Sequence, residues 1–316
     1  MATNLAYRIQ VEMKRILVLY YSQSGQMKKM VDSVTAPLKA SEDVIVDYRK
    51  IKPVTKYPYP WPFYPFFDAF PEAIFMNGCE VELLEDLADD YDLIILGYTI
   101  WFLSPSIPIT GFMKSAQAKL LFQDKPVVTL IACRDMWVMA QEKMKKLLSE
   151  VGATLIDNVV LTDQGGSIYA FITTPRWLLT GKKDPFFGFP AAGVSEKDLS
   201  ESSRFGNRLL EGLKRDEEKE KRTMFKDMGA VTVNGKLVGT EKIATRSFMI
   251  WGRLIKAAGK PGSFARKIVI TIYAVFLAIL VLTIVPLNIL VRRLIYPFRK
   301  DAIEKSVKYY EEPSGR

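Results

Sequence analysis

The sequence predicts an α/β fold, a doubly wound five-stranded parallel sheet, within a chain of 316 residues. Three observations predict it. Continuous apolar runs of strand length recur, the pattern of strands buried on both faces. Segments of helical character alternate with them, and that alternation builds a parallel sheet covered on both sides. The composition, 49% hydrophobic and 25% charged, supports an ordinary globular core.

Residues 15–21, RILVLYY, read as the first strand. They run through Ser22, Gln23, Ser24, Gly25 and Gln26 into a helix over residues 27–39. The second strand is expected at residues 43–51, the third at 91–98 (YDLIILGY) and the fourth at 126–133 (PVVTLIAC). A helix over 136–150 follows, then the fifth strand at 154–162. Residues 195–215 read as a closing helix, with Ser195 and Asp198 at capping-box spacing. Such sheets bind ligands at the carboxyl ends of their strands, where the chain order reverses.

Two stretches exceed a minimal fold of this kind. Residues 52–80 include YPYPWPFYPFFDAFPEAIF, and residues 164–194 are apolar and broken, with Trp177, Phe186, Phe187 and Phe189. Long insertions are usually functional, though extra core beneath a long loop is the plainer reading. Beyond the closing helix, residues 214–222 read as solvated helix. Asn234-Gly235 signals a hairpin over 231–238, and residues 247–258 form an apolar, basic helix with Trp251, suited to a membrane interface.

Residues 268–291 carry no charge over 24 positions, enough to span a bilayer. Arg266 and Lys267 precede them and Arg292 and Arg293 follow, so orientation is ambiguous; Pro286 and Asn288 would weaken the last turns. A kinked, re-entrant or monotopic segment is the alternative. The expected organisation is thus a ligand-binding domain at 14–215, a basic linker at 216–267, a membrane-anchoring or transmembrane helix at 268–291 and a basic tail at 292–316.

The net charge of +9 is uneven. Residues 1–203 hold 21 Lys+Arg against 24 Asp+Glu, residues 204–267 hold 16 against 7, and residues 268–316 hold 7 against 4. Basic excess beside an apolar segment fits anionic headgroups better than nucleic acid. Residues 1–13 contain no apolar run suited to a signal peptide, which places the first domain on the cytoplasmic side of the cytoplasmic membrane. Cys79 and Cys133 are the two cysteines, without zinc spacing. The chain has no histidine, which excludes His-dependent triads and His-rich metal sites.

The loop after the first strand carries the strongest chemical signal. Hydroxyls and a flexible glycine at a helix N-terminus hold a phosphate monoester through backbone N–H groups, side-chain donors and the helix dipole. No lysine lies within residues 22–27, and neither a P-loop nor a dinucleotide fingerprint is present. LYYSQSGQM resembles the flavodoxin phosphate loop: Ser22, Ser24 and Gly25 match, while Met27 stands where the family has threonine. DLIILGYTIWFLSPSIPITGFM resembles the family's flavin-covering loop, placing Tyr98, Thr99, Ile100, Trp101 and Phe102 against the ring. Cys133 and Arg134 fall on the next ring-facing loop. The resemblance implies a flavodoxin-like sheet of order 2-1-3-4-5 with FMN as cofactor, held by Ser22, Gln23, Ser24, Gly25, Gln26 and Met27. It implies no metal.

A narrower resemblance runs almost end to end. GYTIWFLSPSIPITGF, ACRDMWVMAQEK, FPAAGVSEKDLSESSRFG and TIVPLNILVRRLIYPFRK are together similar to the flavodoxin-like protein of bacterial dialkylresorcinol and flexirubin biosynthesis. Members carry the label of a condensing enzyme, which a chain without histidine does not suit. The role implied instead is the later aromatase step, oxidation of a dialkyl-1,3-cyclohexanedione to a dialkylresorcinol. Flavin would accept the hydride while a base removes the proton. Arg134 would pair with the enolate oxygen, and Asp135, Tyr98 or Asp163 would serve as base. Arg134 as an ion-pair residue, Asp135 as a helix cap and Cys133 as a small core residue are the plainer readings.

The implied partners are a lipid-like dione, the membrane and a ketosynthase of the same pathway, with a homo-oligomer admitted and nucleic acid excluded. Three other readings compete: a membrane-bound NAD(P)H:quinone reductase, an electron-transfer flavodoxin, and a flavin-free scaffold.

Overall fold

The computed structural model describes residues 13–314; nothing is described of the side chains of residues 167, 168 and 284–299. Residues 1–12, read above for targeting, therefore lie outside it, as do the side chains of Pro286, Asn288, Arg292 and Arg293.

The chain runs β1 (Lys14–Tyr20), α1 (Gln26–Lys39), β2 (Val44–Lys50), α2 (Phe63–Asp68), α3 (Phe70–Ile74), β3 (Leu93–Tyr98), β4 (Ile100–Trp101), β5 (Ser104–Pro105), α4 (Ile107–Met113), α5 (Ala116–Phe122), β6 (Pro126–Cys133), α6 (Val138–Glu150) and β7 (Thr154–Thr162). Then come α7 (Gly166–Thr180), α8 (Glu196–Glu201), α9 (Ser203–Leu213), α10 (Gly235–Ala257) and α11 (Phe264–Glu311). The five-stranded sheet has the order β2-β1-β3-β6-β7 and is parallel throughout. With β4 and β5 set aside as a separate two-stranded hairpin, this is the expected 2-1-3-4-5 order. Ile16, Leu17, Val18 and Leu19 are fully buried, as a strand covered on both faces requires.

Successive side chains on a strand face opposite sides of the sheet. Gly97 faces α1: a Cβ there would lie 2.8 Å from Val31 Cγ2 and 2.9 Å from Met27 Sδ. Tyr98 faces the other way and donates its hydroxyl hydrogen to Gln141 Oε1 of α6 at 2.5 Å. Helix α9 presses on α1 at Gly206, where a Cβ would run into the Val34 carbonyl.

Several expectations need correction. Asn234-Gly235 makes no hairpin; Asn234 is the N-cap of α10, and Leu237 N donates to its carbonyl at 2.8 Å. Asparagine serves turns and helix starts alike, and packing selects the helix. The single closing helix is two, α8 and α9, with Ser195 capping α8 through the Asp198 N–H. The broken stretch after residue 164 begins as the 15-residue helix α7. In place of solvated helix, residues 214–222 hold a 3-10 turn, Glu217–Glu220, whose buried Glu218 takes the Lys14 ammonium at 2.6 Å. Met224, Phe225, Val231, Val233 and Val238 join the main hydrophobic core, so residues 224–238 pack onto the sheet domain.

Helix α11 is a continuous run of 48 residues. Its stretch Phe264–Thr283 is long and apolar enough to cross a membrane. Its start is buried at Ile270 and Tyr273 against Phe67, Phe70 and Ile255.

Candidate functional site

The loop at residues 22–27 leaves β1 and turns into α1 through Gly25, whose φ of 88° is the left-handed conformation that glycine adopts without strain. The N-cap residue Gly25 has no side chain to cap α1, so of the first-turn N–H groups only that of Lys28 has a side-chain acceptor among the described residues. Nothing lies within 4 Å of a Cβ placed on Gly25. Ser22 Oγ accepts from Lys28 N at 3.3 Å, and Ser24 is exposed. Gln23 and Gln26 fix the rim instead. Gln23 Nε2 donates to Pro58 O at 2.8 Å, and its Oε1 accepts from Trp61 Nε1 at 3.1 Å. Gln26 Oε1 accepts from Val194 N at 2.8 Å. Both insertions therefore fold back onto this loop. The Met27 side chain is buried beneath Gly97, which leaves only its main chain at the mouth.

The second loop follows β3. Ile100 and Trp101 pair with Pro105 and Ser104, and the turn residues Phe102 and Leu103 have φ of 50° and 60°. Non-glycine residues at positive φ cost of the order of 1–3 kcal/mol each, and such strain clusters at functional loops. Packing holds the turn: Phe102 lies 4.9 Å from Phe66 and 5.0 Å from Phe70, ring to ring. Trp101 meets Tyr21 at 5.9 Å, Tyr57 at 5.0 Å and Trp61 at 5.3 Å, all edge-on. The Thr99 and Ser106 hydroxyls are buried with no hydrogen bond among the described residues. An unpaired buried hydroxyl leaves a hydrogen bond for a water or another incoming polar group to complete.

The third loop follows β6. Arg134 lies over the Phe171 ring at 4.3 Å, and burial pushes its guanidinium below the usual value despite Asp135 and Asp163 nearby. Asp135 Oδ1 accepts from Met136 N at 2.9 Å. Helix α6 starts at Val138 with Trp137 as N-cap, so Asp135 sits ahead of the helix and does not cap it. Cys133 is buried, which drives its thiol well up and makes it a core residue.

Tyr98 and Asp163 are held elsewhere. The Tyr98 phenol is fully buried on the α6 face, bonded to Gln141, and raised by that burial. Asp163 accepts from Gly165 N at 2.8 Å and from Gly193 N at 2.6 Å. It ties the end of β7 to the second insertion, and burial raises its carboxyl. Beside it opens a cleft of about 670 Å³, lined by Gln164, Gly165, Tyr169 and residues 185–190.

Two residues went unremarked in the sequence. Glu241 of α10, nearly fully buried, accepts from Met139 N at 2.6 Å and so caps the start of α6; burial raises it to about 7. Lys143 Nζ donates to Ser104 Oγ at 2.6 Å, and burial lowers it to about 8. The available signal was that Glu241 is the lone acid in α10, among Lys236, Lys242, Arg246, Arg253 and Lys256.

No family model matches the chain, and no curated protein matches it. Among solved structures it is similar to a flavoprotein in complex with FMN from Lactobacillus acidophilus, at 23% identity over 46% of this chain and 92% of that one, with a TM-score of 0.36. It is also similar to flavodoxin 1 from Bacillus cereus, at 14% identity over 63% and 98%, with a TM-score of 0.34. A flavodoxin from Fusobacterium nucleatum bound to flavin mononucleotide gives 13% over 64% and 99%, with a TM-score of 0.32. The assignment of architecture rests on the sheet itself, whose parallel order is that of flavodoxin. The chain has a flavodoxin-like α/β fold, with two insertions that meet the loop at the carboxyl end of β1 and a C-terminal apolar helix.

Proposed function

We propose that the chain is a membrane-bound FMN-dependent oxidoreductase that converts a dialkyl-1,3-cyclohexanedione to a dialkylresorcinol. One observation carries this: an aromatic path joins the loop edge of the sheet to α11. Trp101 touches Trp61, Trp61 touches Phe66 at 5.8 Å, Phe66 touches Phe67 at 5.1 Å, and Phe67 touches Tyr273 at 6.0 Å. Packed apolar rings between this edge and α11 suit a substrate with alkyl tails better than a carrier serving a soluble partner.

The residues fit FMN. The open N–H groups of α1 with Ser22, Ser24 and Gly25 suit a phosphate monoester, Gln23 and Gln26 brace the loop, and Met27 contributes its main chain. On this reading Thr99, whose buried hydroxyl has no hydrogen bond among the described residues, would lie beside the ring with Ile100, Trp101, Phe102, Arg134 and the main chain of Cys133. FMN bound there would supply two-electron acceptance. The conversion removes two hydrogens from the dione, and the chain's task is to take the one that leaves as a proton. On this reading Asp135 would take that proton and Arg134 would stabilise the enolate oxygen. The aromatic wall excludes water.

Anaerobic mixing of the flavin-loaded protein with a 2,5-dialkylcyclohexane-1,3-dione tests the proposal. Bleaching of the flavin absorbance, slowed about 10²–10⁴-fold by Asp135→Asn, is the expected result. Flavin that stays oxidised with the dione yet is reduced by NAD(P)H would transfer the assignment to a quinone reductase.

A further inference from the structure

We propose that α11 lies on one leaflet of the membrane, its two ends on the same side. The inference rests on the membrane reading above and concerns only how the contact is made.

The start of α11 is pinned to the sheet domain. Arg266, fully buried, pairs through Nε with Asp68 Oδ1 at 2.5 Å and through Nη2 with Glu72 Oε2 at 2.7 Å. Gly262 N donates to Asp68 Oδ2 at 2.7 Å, and Tyr273 stacks on Phe70 at 4.7 Å. The far end returns to the same domain. Lys145 of α6 donates to Tyr309 Oη at 3.2 Å, and Val233 N donates to Glu311 Oε1 at 3.3 Å. Val307 and Tyr310 pack on the main core, and the start of α10 at Gly235 abuts Ile303 and Val307 so closely that a Cβ would clash.

A helix that crosses a bilayer separates its flanks by about 30 Å of hydrocarbon. Here Arg266 is held by α2 and α3, and Tyr309 by α6, all parts of one folded unit that carries charge over its surface and cannot itself enter lipid. Crossing would require one of these two attachments to break. Between them the helix shows an uncharged outer stripe: Ile268, Ile272, Val275, Ile279 and Leu282 are all about half exposed or more. The i, i+4, i+7, i+11, i+14 spacing puts them on one face. Phe63 and Tyr64 lie exposed beside it, with Tyr64 Oη 3.3 Å from Thr271 Oγ1. Exposed Arg253, Lys256, Lys260 and Lys267 flank its start, as an anionic leaflet would select.

Cysteine labelling in cells tests this on the full chain. Cys79 is replaced by Ser, and buried Cys133 is left in place. Lys260→Cys and Lys305→Cys, both at exposed positions, are then reacted with a membrane-impermeant maleimide before and after the membrane is opened. Both positions should become reactive together, in the same compartment as the flavin domain. Ile272→Glu with Ile279→Glu should shift the chain from the membrane to the soluble fraction while keeping its gel-filtration profile. Labelling of the two positions from opposite sides would overturn the proposal and leave the membrane reading standing. Wild-type chain found in the soluble fraction after gentle lysis would overturn both.

Discussion

Glu241→Gln probes whether α10 is part of the sheet domain. The carboxyl sits at the start of α6, accepting from Met139 N, and burial lifts it from its ordinary 4.5 to about 7. A carboxyl raised on folding binds its proton more tightly in the native state. Its contribution is therefore fully present below about pH 4.5 and is lost as pH rises toward 7, after which it is flat. At about 1.4 kcal/mol per pH unit, the loss across that window is roughly 3 kcal/mol. Glutamine keeps an acceptor for Met139 N and removes the ionisation. Chemical denaturation of wild type and variant in the same mild detergent, followed by tryptophan fluorescence, gives the difference directly. Other titrating groups, including Asp157 raised to about 6 by burial, are common to both proteins and cancel. The variant should gain roughly 3 kcal/mol on wild type between pH 4.5 and pH 8. A difference that does not vary with pH would mean that Glu241 stays solvated and that α10 does not dock as described.

Three other outcomes follow from the site. Ser22→Asp with Ser24→Asp places like charge against the phosphate and should leave the purified protein without flavin, read by absorbance. Tyr98→Phe removes the hydrogen bond to buried Gln141 and should lower stability by about 1–2 kcal/mol, with flavin reduction per loaded molecule unchanged; a slowed reduction would return Tyr98 to the chemistry. Gly97→Ala pushes a methyl to 2.8 Å from Val31 and 2.9 Å from Met27, so it should cost about 1–3 kcal/mol and weaken FMN binding by tilting the start of α1, measured by flavin fluorescence titration.

The sheet was legible because strands buried on both faces leave continuous apolar runs, and the loop at residues 22–27 follows the first of them directly. The Ser195 capping box was equally plain, since it is a local device. An all-apolar strand, in contrast, does not disclose which residue faces which side. Tyr98 read as ring-facing, and only the close approach of α1 at Gly97 fixes it on the opposite face. The first insertion has no period, so nothing local tied Trp61 to Gln23 across the loop. Asn234-Gly235 misled because one dipeptide serves two starts. The return of α11 to Val233 and Lys145 depends on contacts 78 and 164 residues apart in the chain, beyond any local pattern.

The central claim is that the loop edge of this sheet holds FMN. The most direct measurement is the absorbance of the purified full-length protein in detergent after incubation with FMN and removal of the excess, with the released cofactor identified by chromatography. Flavin bands, about one FMN per chain, and no uptake by the Ser22→Asp, Ser24→Asp variant are the expected result. A colourless protein that takes up no flavin, or one that carries FAD, would contradict it.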